Sequence, residues 1–127
     1  MHIVLVDWKI IPGKETEEAF KKFWRSGLPV NDRSKMVGEF LSAVTSQSSE
    51  YPWITWNLAD SDKYTRFVNV GLWADAAAFH GQIGQYFNPE NGKMDFEFEL
   101  RKRSLLSPEC WRMGDWPLPK HDSGGVL

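Results

Sequence analysis

Cysteine is nearly missing: Cys110 is the only one among 127 residues. No intramolecular disulfide can form, and a cysteine-rich zinc site is excluded. Histidine is scarce as well, with only His2, His80 and His121. No second His or Cys stands at ligand spacing from His80, so no metal is expected. No apolar run reaches the about 20 residues that a membrane helix needs. The opening MHIVLVDWKIIPGK lacks a basic leader and a small-residue cleavage site, and Asp7 and Lys9 interrupt it. It reads as the first strand of a soluble, cytoplasmic protein. A basic surplus is also missing: 15 Lys and Arg stand against 17 Asp and Glu, a formal charge of −2. Nucleic-acid binding is therefore not expected. The PGK at 12–14 has no phosphate-loop context, and no serine sits in a G-x-S-x-G elbow. Hydrolase and nucleotide-dependent readings lose their support.

Rings are what the chain has in excess: seven Trp, eight Phe and three Tyr. The length suits one domain. Residues 2–11 carry the pattern of a strand, ended by Pro12-Gly13. A helix is predicted from Glu15 to Arg25, with Ala19, Phe20, Phe23 and Trp24 on one face and Gly27 as its C-terminal cap. Residues 37–46 and 64–73 read as strands. YPWITW, residues 51–56, is a candidate edge strand, with Pro52 permitted only at an edge or a start. Asp75 is a predicted N-cap for a second helix bearing Phe79, Ile83, Tyr86 and Phe87. Residues 95–106 form a final long strand, resumed over Glu109–Met113 after Pro108. The order is β-α-β twice, the ferredoxin-like plan of an α+β fold with a four-stranded antiparallel sheet. Residues 1–114 make the domain, and 115–127 a tail whose end is expected to be mobile.

Alternation then argues about faces. Val4, Val6 and Trp8 point one way, Ile3 and Leu5 the other. Phe67, Asn69, Gly71 and Trp73 share one face, and Val68, Val70 and Leu72 the other. Both faces are apolar, yet two helices cover only one. A second copy of the chain is the simplest cover, hence a homodimer. A lid built from Trp111, Trp116, Leu118 and the 51–56 loop is the alternative.

Asn69 is the polar intruder on the Phe67 and Trp73 face. It either orients a ligand in an aromatic pocket or is satisfied by backbone. Trp73 shares that face, so its indole N–H either donates to a substrate oxygen or anchors the strand. Asp7, between Val6 and Trp8, is either a proton acceptor among rings or a carboxylate paired with Lys9 or an arginine. His80 flanks the helix stripe, as a proton relay or as a histidine bonded to backbone. Arg101-Lys102-Arg103 splits across both faces of the last strand, and one arginine can hold an anionic oxygen. Cys110, next to Trp111, reads as a buried small hydrophobe.

Three segments, VLVDWKIIPGKETEEAF, FVNVGLWADAAAFHGQI and FELRKRSLLSPECWRMG, resemble the antibiotic biosynthesis monooxygenase family across residues 2–114. The resemblance implies a dimeric α+β barrel with one cavity per subunit. It also implies oxidation of a small phenolic substrate by molecular oxygen without metal or flavin. Such members carry an asparagine and a tryptophan four residues apart, the spacing of Asn69 and Trp73. They also use a tyrosine early in the second helix, where this chain has Phe79, and an arginine. On this reading Asn69, Trp73 and Asp7 are catalytic, and Trp8, Phe67, Phe79 and His80 bind a small aromatic or hydrophobic molecule. A non-catalytic dimeric binding module is the alternative. Haem-degrading relatives, a further alternative, place a histidine near His80 and an amide where Asp7 stands.

Overall fold

The computed structural model describes residues 1–27, 30–44 and 62–123. The 51–56 segment, with Trp53 and Trp56, lies outside the described residues. Four strands, β1 (His2–Ile10), β2 (Met36–Ala43), β3 (Thr65–Trp73) and β4 (Glu97–Leu106), form one antiparallel sheet in the order β2-β3-β1-β4. With α1 (Lys14–Lys22) and α2 (Ala76–Phe79) between them, this is the ferredoxin-like βαββαβ arrangement. The segment after Pro108 does not resume as a strand, and Cys110 within it is exposed, not buried.

Gly13 takes a φ of 132°, a conformation that L side chains rarely adopt. It turns the chain off β1, and its carbonyl accepts the Glu17 N–H at 3.0 Å. Glu15 and Glu17 in the first turn of α1 and Lys21 and Lys22 in the last match the helix dipole. The predicted helix continues past Lys22 as a wider π-helical turn, Phe23–Gly27. The second helix behaves alike. Asp75 caps it by accepting the Ala78 N–H at 2.8 Å, and after Phe79 it widens over His80–Gly84. Each widening sets an apolar residue toward the sheet: Phe23 packs 5.2 Å from the Phe96 ring, and Ile83 is buried.

The core lies between the sheet and these helices. Val4, Val6, Trp8 and Ile10 supply it from β1, Phe67 and Trp73 from β3, Phe20 from α1, and Ile83. Phe20 is the hub, 4.9 Å from the Trp8 ring and 5.3 Å from Phe67. Rings at such separations pack as tilted pairs and fix the helix over the strands. β4 contributes a buried ion pair: Arg101 donates to Glu97 at 2.7 Å, and its guanidinium lies 5.4 Å from the Trp8 ring.

The opposite sheet face carries Ile3, Leu5, Phe40, Val68, Val70 and Leu72, all only half-buried. Both described helices pack on the other side, against the core. The two-faced apolar pattern is thus present, and the outer face is left open by the described residues.

Candidate functional site

A cleft of about 900 Å³ opens on the helix-covered face of the sheet, beside β2. That volume is ample for a small ligand. On β1 and β3 its floor comes from alternate residues, because strand side chains alternate and only one parity faces inward, while along β2 residues of both parities border it. The cross-strand register places Leu41, Asn69, Val6 and Arg103 in one row from β2 to β4. Asn69 and Arg103 therefore share a face two strands apart, roughly 9–10 Å at the backbone. Trp8, Phe67, Phe79 and Phe87 add ring walls.

Asn69 is 5% exposed, lines the cleft, and has no hydrogen-bond partner at Oδ1 among the described residues. An unsatisfied buried acceptor costs about 1–3 kcal/mol. A ligand donor there would recover that cost. Arg103 is half-buried, with its guanidinium 5.7 Å from the Phe79 ring and its Nε unpartnered among the described residues. Burial, with Arg101 beside it, lowers its pKa, but a guanidinium stays charged in proteins. It is the inward-facing arginine of the basic run that borders the cleft, while Arg101 is engaged by Glu97.

Trp73 is fully buried and adds no surface to the cleft wall. Its indole packs edge-on against Phe79 at 5.8 Å. Its Nε1 points instead to the space above Gly71, next to the Glu39 carboxyl. Glu39 is a site residue that the sequence reading missed. It sits on β2 opposite Gly71 and lines the cleft, and its Oε1 is buried. Burial pushes the Glu39 carboxyl above its ordinary value. The adjacent Asn69 amide and Trp73 indole N–H, and then the more distant Arg33, draw it part of the way back. These neighbours are close without being well aligned, for Glu39 Oε1 and Trp73 Nε1 complete no hydrogen bond among the described residues. In VGEFLSAVTS, Glu39 resembles an ordinary charged residue of a strand. The only internal signal is that it shares the parity of Leu41 and Ala43.

Asp7 and His80 fall elsewhere. Standing between Val6 and Trp8 in sequence puts Asp7 on the opposite face of the sheet, where it pairs with Arg66 at 3.1 Å. His80 is exposed and borders a separate shallow depression with Val4, Ala76 and Leu105. So Asn69, Trp8, Phe67 and Phe79 meet at the cleft, Trp73 stands behind it, and Asp7 and His80 are apart from it. Among the described residues, no cluster of three or more His, Cys, Asp or Glu side chains has metal-site geometry. No described helix is long and apolar enough to cross a membrane.

The tail reaches the rim. Arg33 donates to both carboxylate oxygens of Asp122, at 2.8 and 2.7 Å, and Leu118 borders the cleft. Trp111 and Trp116 do not form a lid; Trp116 is 94% exposed.

No family model matches the chain, and no curated protein matches it. Its structure is similar to that of a monooxygenase, the ActVA-Orf6 protein of Streptomyces coelicolor, solved in complex with nanaomycin D. The TM-score is 0.55 at 12% identity, covering 90% of this chain and 92% of the other. At that identity the likeness is one of fold.

Proposed function

We propose that the cleft is the active site of a cofactor-independent monooxygenase acting on a small phenolic or anthrone-like molecule. Asn69 carries the reading: a lone amide with a free acceptor, on a buried aromatic face that opens on a ligand-sized cleft. An ionised phenol is electron-rich enough to reduce dioxygen directly. The protein's part is to exclude water, orient the ring and stabilise its negative charge. Trp8, Phe67 and Phe79 provide the ring walls, Asn69 orients one oxygen, and Arg103 offers positive charge at the far side of the row. The reaction turns a ring CH2 into a carbonyl, and the second oxygen atom leaves as water. The fold shared with a monooxygenase is in keeping with this chemistry.

The functional unit in this proposal is a homodimer joined through the outer sheet face, where Leu5, Phe40, Val70 and Leu72 are only half-buried in the single chain. A second reading, a binding module without turnover, draws on Phe79: its ring has no hydroxyl to offer a ligand where the resemblance implies a tyrosine.

Oxygen uptake over a panel of anthrones and hydroquinones tests the proposal. Uptake by the wild-type protein that falls in Asn69→Ala supports it. No uptake across the panel, or full activity in the variant, removes it. A ligand retained through purification without turnover supports the binding module instead.

A further inference from the structure

We propose that Glu39 is the group that takes the proton from the aromatic hydroxyl of the cleft's ligand. The inference rests on the cleft being a site for hydroxylated aromatic molecules, and it names the residue that would select them. Three observations carry it. Glu39 lines the cleft from β2, one strand away from Asn69 and on the same face. Its Oε1 is buried beside the Trp73 indole and accepts no hydrogen bond from the described residues, so the carboxyl keeps acceptor capacity for a ligand donor. The carboxyl is framed by the Asn69 amide and the Trp73 indole, a position that exists only because residue 71 has no side chain.

The chemistry fits a hydroxyl donor. The ligand reacts as its hydroxyl tautomer, in which one hydrogen of the ring CH2 has moved to the carbonyl oxygen. When that O–H bond breaks, its electron pair stays on the ring oxygen and the proton goes to the Glu39 carboxylate. The ring becomes a delocalised phenolate and Glu39 becomes neutral. Dioxygen then forms a C–O bond at the ring carbon that began as CH2, giving a peroxide anion, and Glu39 returns its proton to the outer peroxide oxygen. The O–O bond breaks with its pair on that oxygen, the remaining C–H proton joins it as water, and the C–H electron pair forms the carbonyl. No net proton is consumed. A carboxyl whose affinity for protons is raised by burial lies nearer to a phenol, whose pKa is about 10, and transfers between matched groups are faster. The Asn69 amide, which lies beside the carboxyl and lines the cleft, can then donate to the phenolate. Trp73 acts as a positioning residue, since its indole abuts the carboxyl and does not border the cleft.

The charged groups that share the cleft are Lys21 and Arg25 from the first helical segment, Arg33 with its partner Asp122, Lys120 and His121 from the tail, and Arg103 from β4. Among these, Arg33 is the one whose charge bears on Glu39. Comparison with Glu39→Gln isolates the contribution of Glu39, because that variant keeps every other charged group of the cleft, His121 included.

The experiment uses dihydroxyanthrone with the full chain, its Glu39→Gln and Glu39→Asp variants, and Asn69→Ala. Folding of each variant is checked by thermal unfolding. Turnover is followed from pH 5 to 9. The wild type should show a rising acid limb in kcat. Glu39→Gln should lose that limb and at least about 100-fold in rate, as removal of a general base does. Glu39→Asp should keep the limb at an intermediate rate. Wild-type kcat and an intact acid limb in Glu39→Gln would overturn the proposal.

Binding is measured separately without oxygen, by quenching of tryptophan fluorescence. Wild-type affinity should improve about tenfold as Glu39 ionises, since a charged acceptor binds a hydroxyl more strongly than a neutral one. Glu39→Gln should bind more weakly and without that pH dependence. The same pH dependence in both proteins would overturn the proposal. If the wild type consumes no oxygen, the oxidative reading fails, and this titration alone decides the role of Glu39.

Discussion

Glu39 and Gly71 are direct partners across the β2–β3 ladder, and the missing side chain at 71 is what lets the Glu39 carboxyl approach the Trp73 indole. A Cβ at position 71 would sit 2.8 Å from Trp73 Nε1 and 3.3 Å from Glu39 Oε1. Neither contact is tolerable without movement, and Trp73 is locked against Phe79. Gly71→Ala should therefore cost about 1–3 kcal/mol, the usual penalty of overpacking, and weaken binding in the cleft. Urea unfolding checks it. Gly81→Ala is the control: no atom lies within 4 Å of its added Cβ, so it should gain up to about 1 kcal/mol.

Glu39 also sets a pH dependence of stability. Its folded pKa is raised, mainly by burial, so the folded state holds this proton more tightly than the unfolded chain does. The resulting stabilisation is full below the unfolded value of 4.5 and is lost as pH rises through the folded value. Glu39→Gln abolishes that loss. At pH 8 the variant should melt above the wild type, and near pH 4 the difference should vanish. Equal melting temperatures at pH 8 would show that the carboxyl is hydrated.

The buried pair of Arg101 and Glu97 predicts the largest effect. Glu97 accepts from the Arg101 side chain at 2.7 Å, from the Arg101 N–H at 3.0 Å and from the Met94 N–H at 3.0 Å. Either single change leaves an unpaired group in the core. Glu97→Leu or Arg101→Leu should cost about 3–5 kcal/mol, while the double change should cost much less than the sum. A double-mutant cycle in denaturant measures both.

The outer sheet face predicts assembly. Val70 lies at the middle of β3 on that face, flanked in the ladder by Leu5 and Phe40. Val70→Lys should convert a dimer to a monomer in sedimentation, since a charge at the centre of an apolar seam cannot be desolvated without a partner. A wild-type chain that sediments as a monomer at all concentrations would contradict the homodimer.

Much of this was legible in the sequence, for identifiable reasons. Strand alternation depends only on chain geometry, so the faces of β1 and β3 could be read directly, and Asn69 stood out on one of them. Asp75 announced its helix because an N-cap is a local interaction. The π-helical widenings after Lys22 and Phe79 were not readable, for they answer to packing against a sheet the sequence does not display. Asp7 drew notice by its apolar neighbours, yet adjacency along a strand means opposite faces, and its true neighbour is Arg66. Glu39 escaped notice because its setting is made by Gly71 and Trp73, more than thirty residues away. Cross-strand register, which no local pattern fixes, brings them together.

The central claim, that this cleft directs dioxygen onto a hydroxylated ring, is tested most directly by a mass measurement. Wild-type protein is given dihydroxyanthrone under dioxygen labelled with heavy oxygen, and the protein-dependent quinone is weighed. The product should carry a single labelled oxygen atom, and little of it should form with Asn69→Ala. An unlabelled quinone, or no quinone beyond the protein-free background, would contradict it.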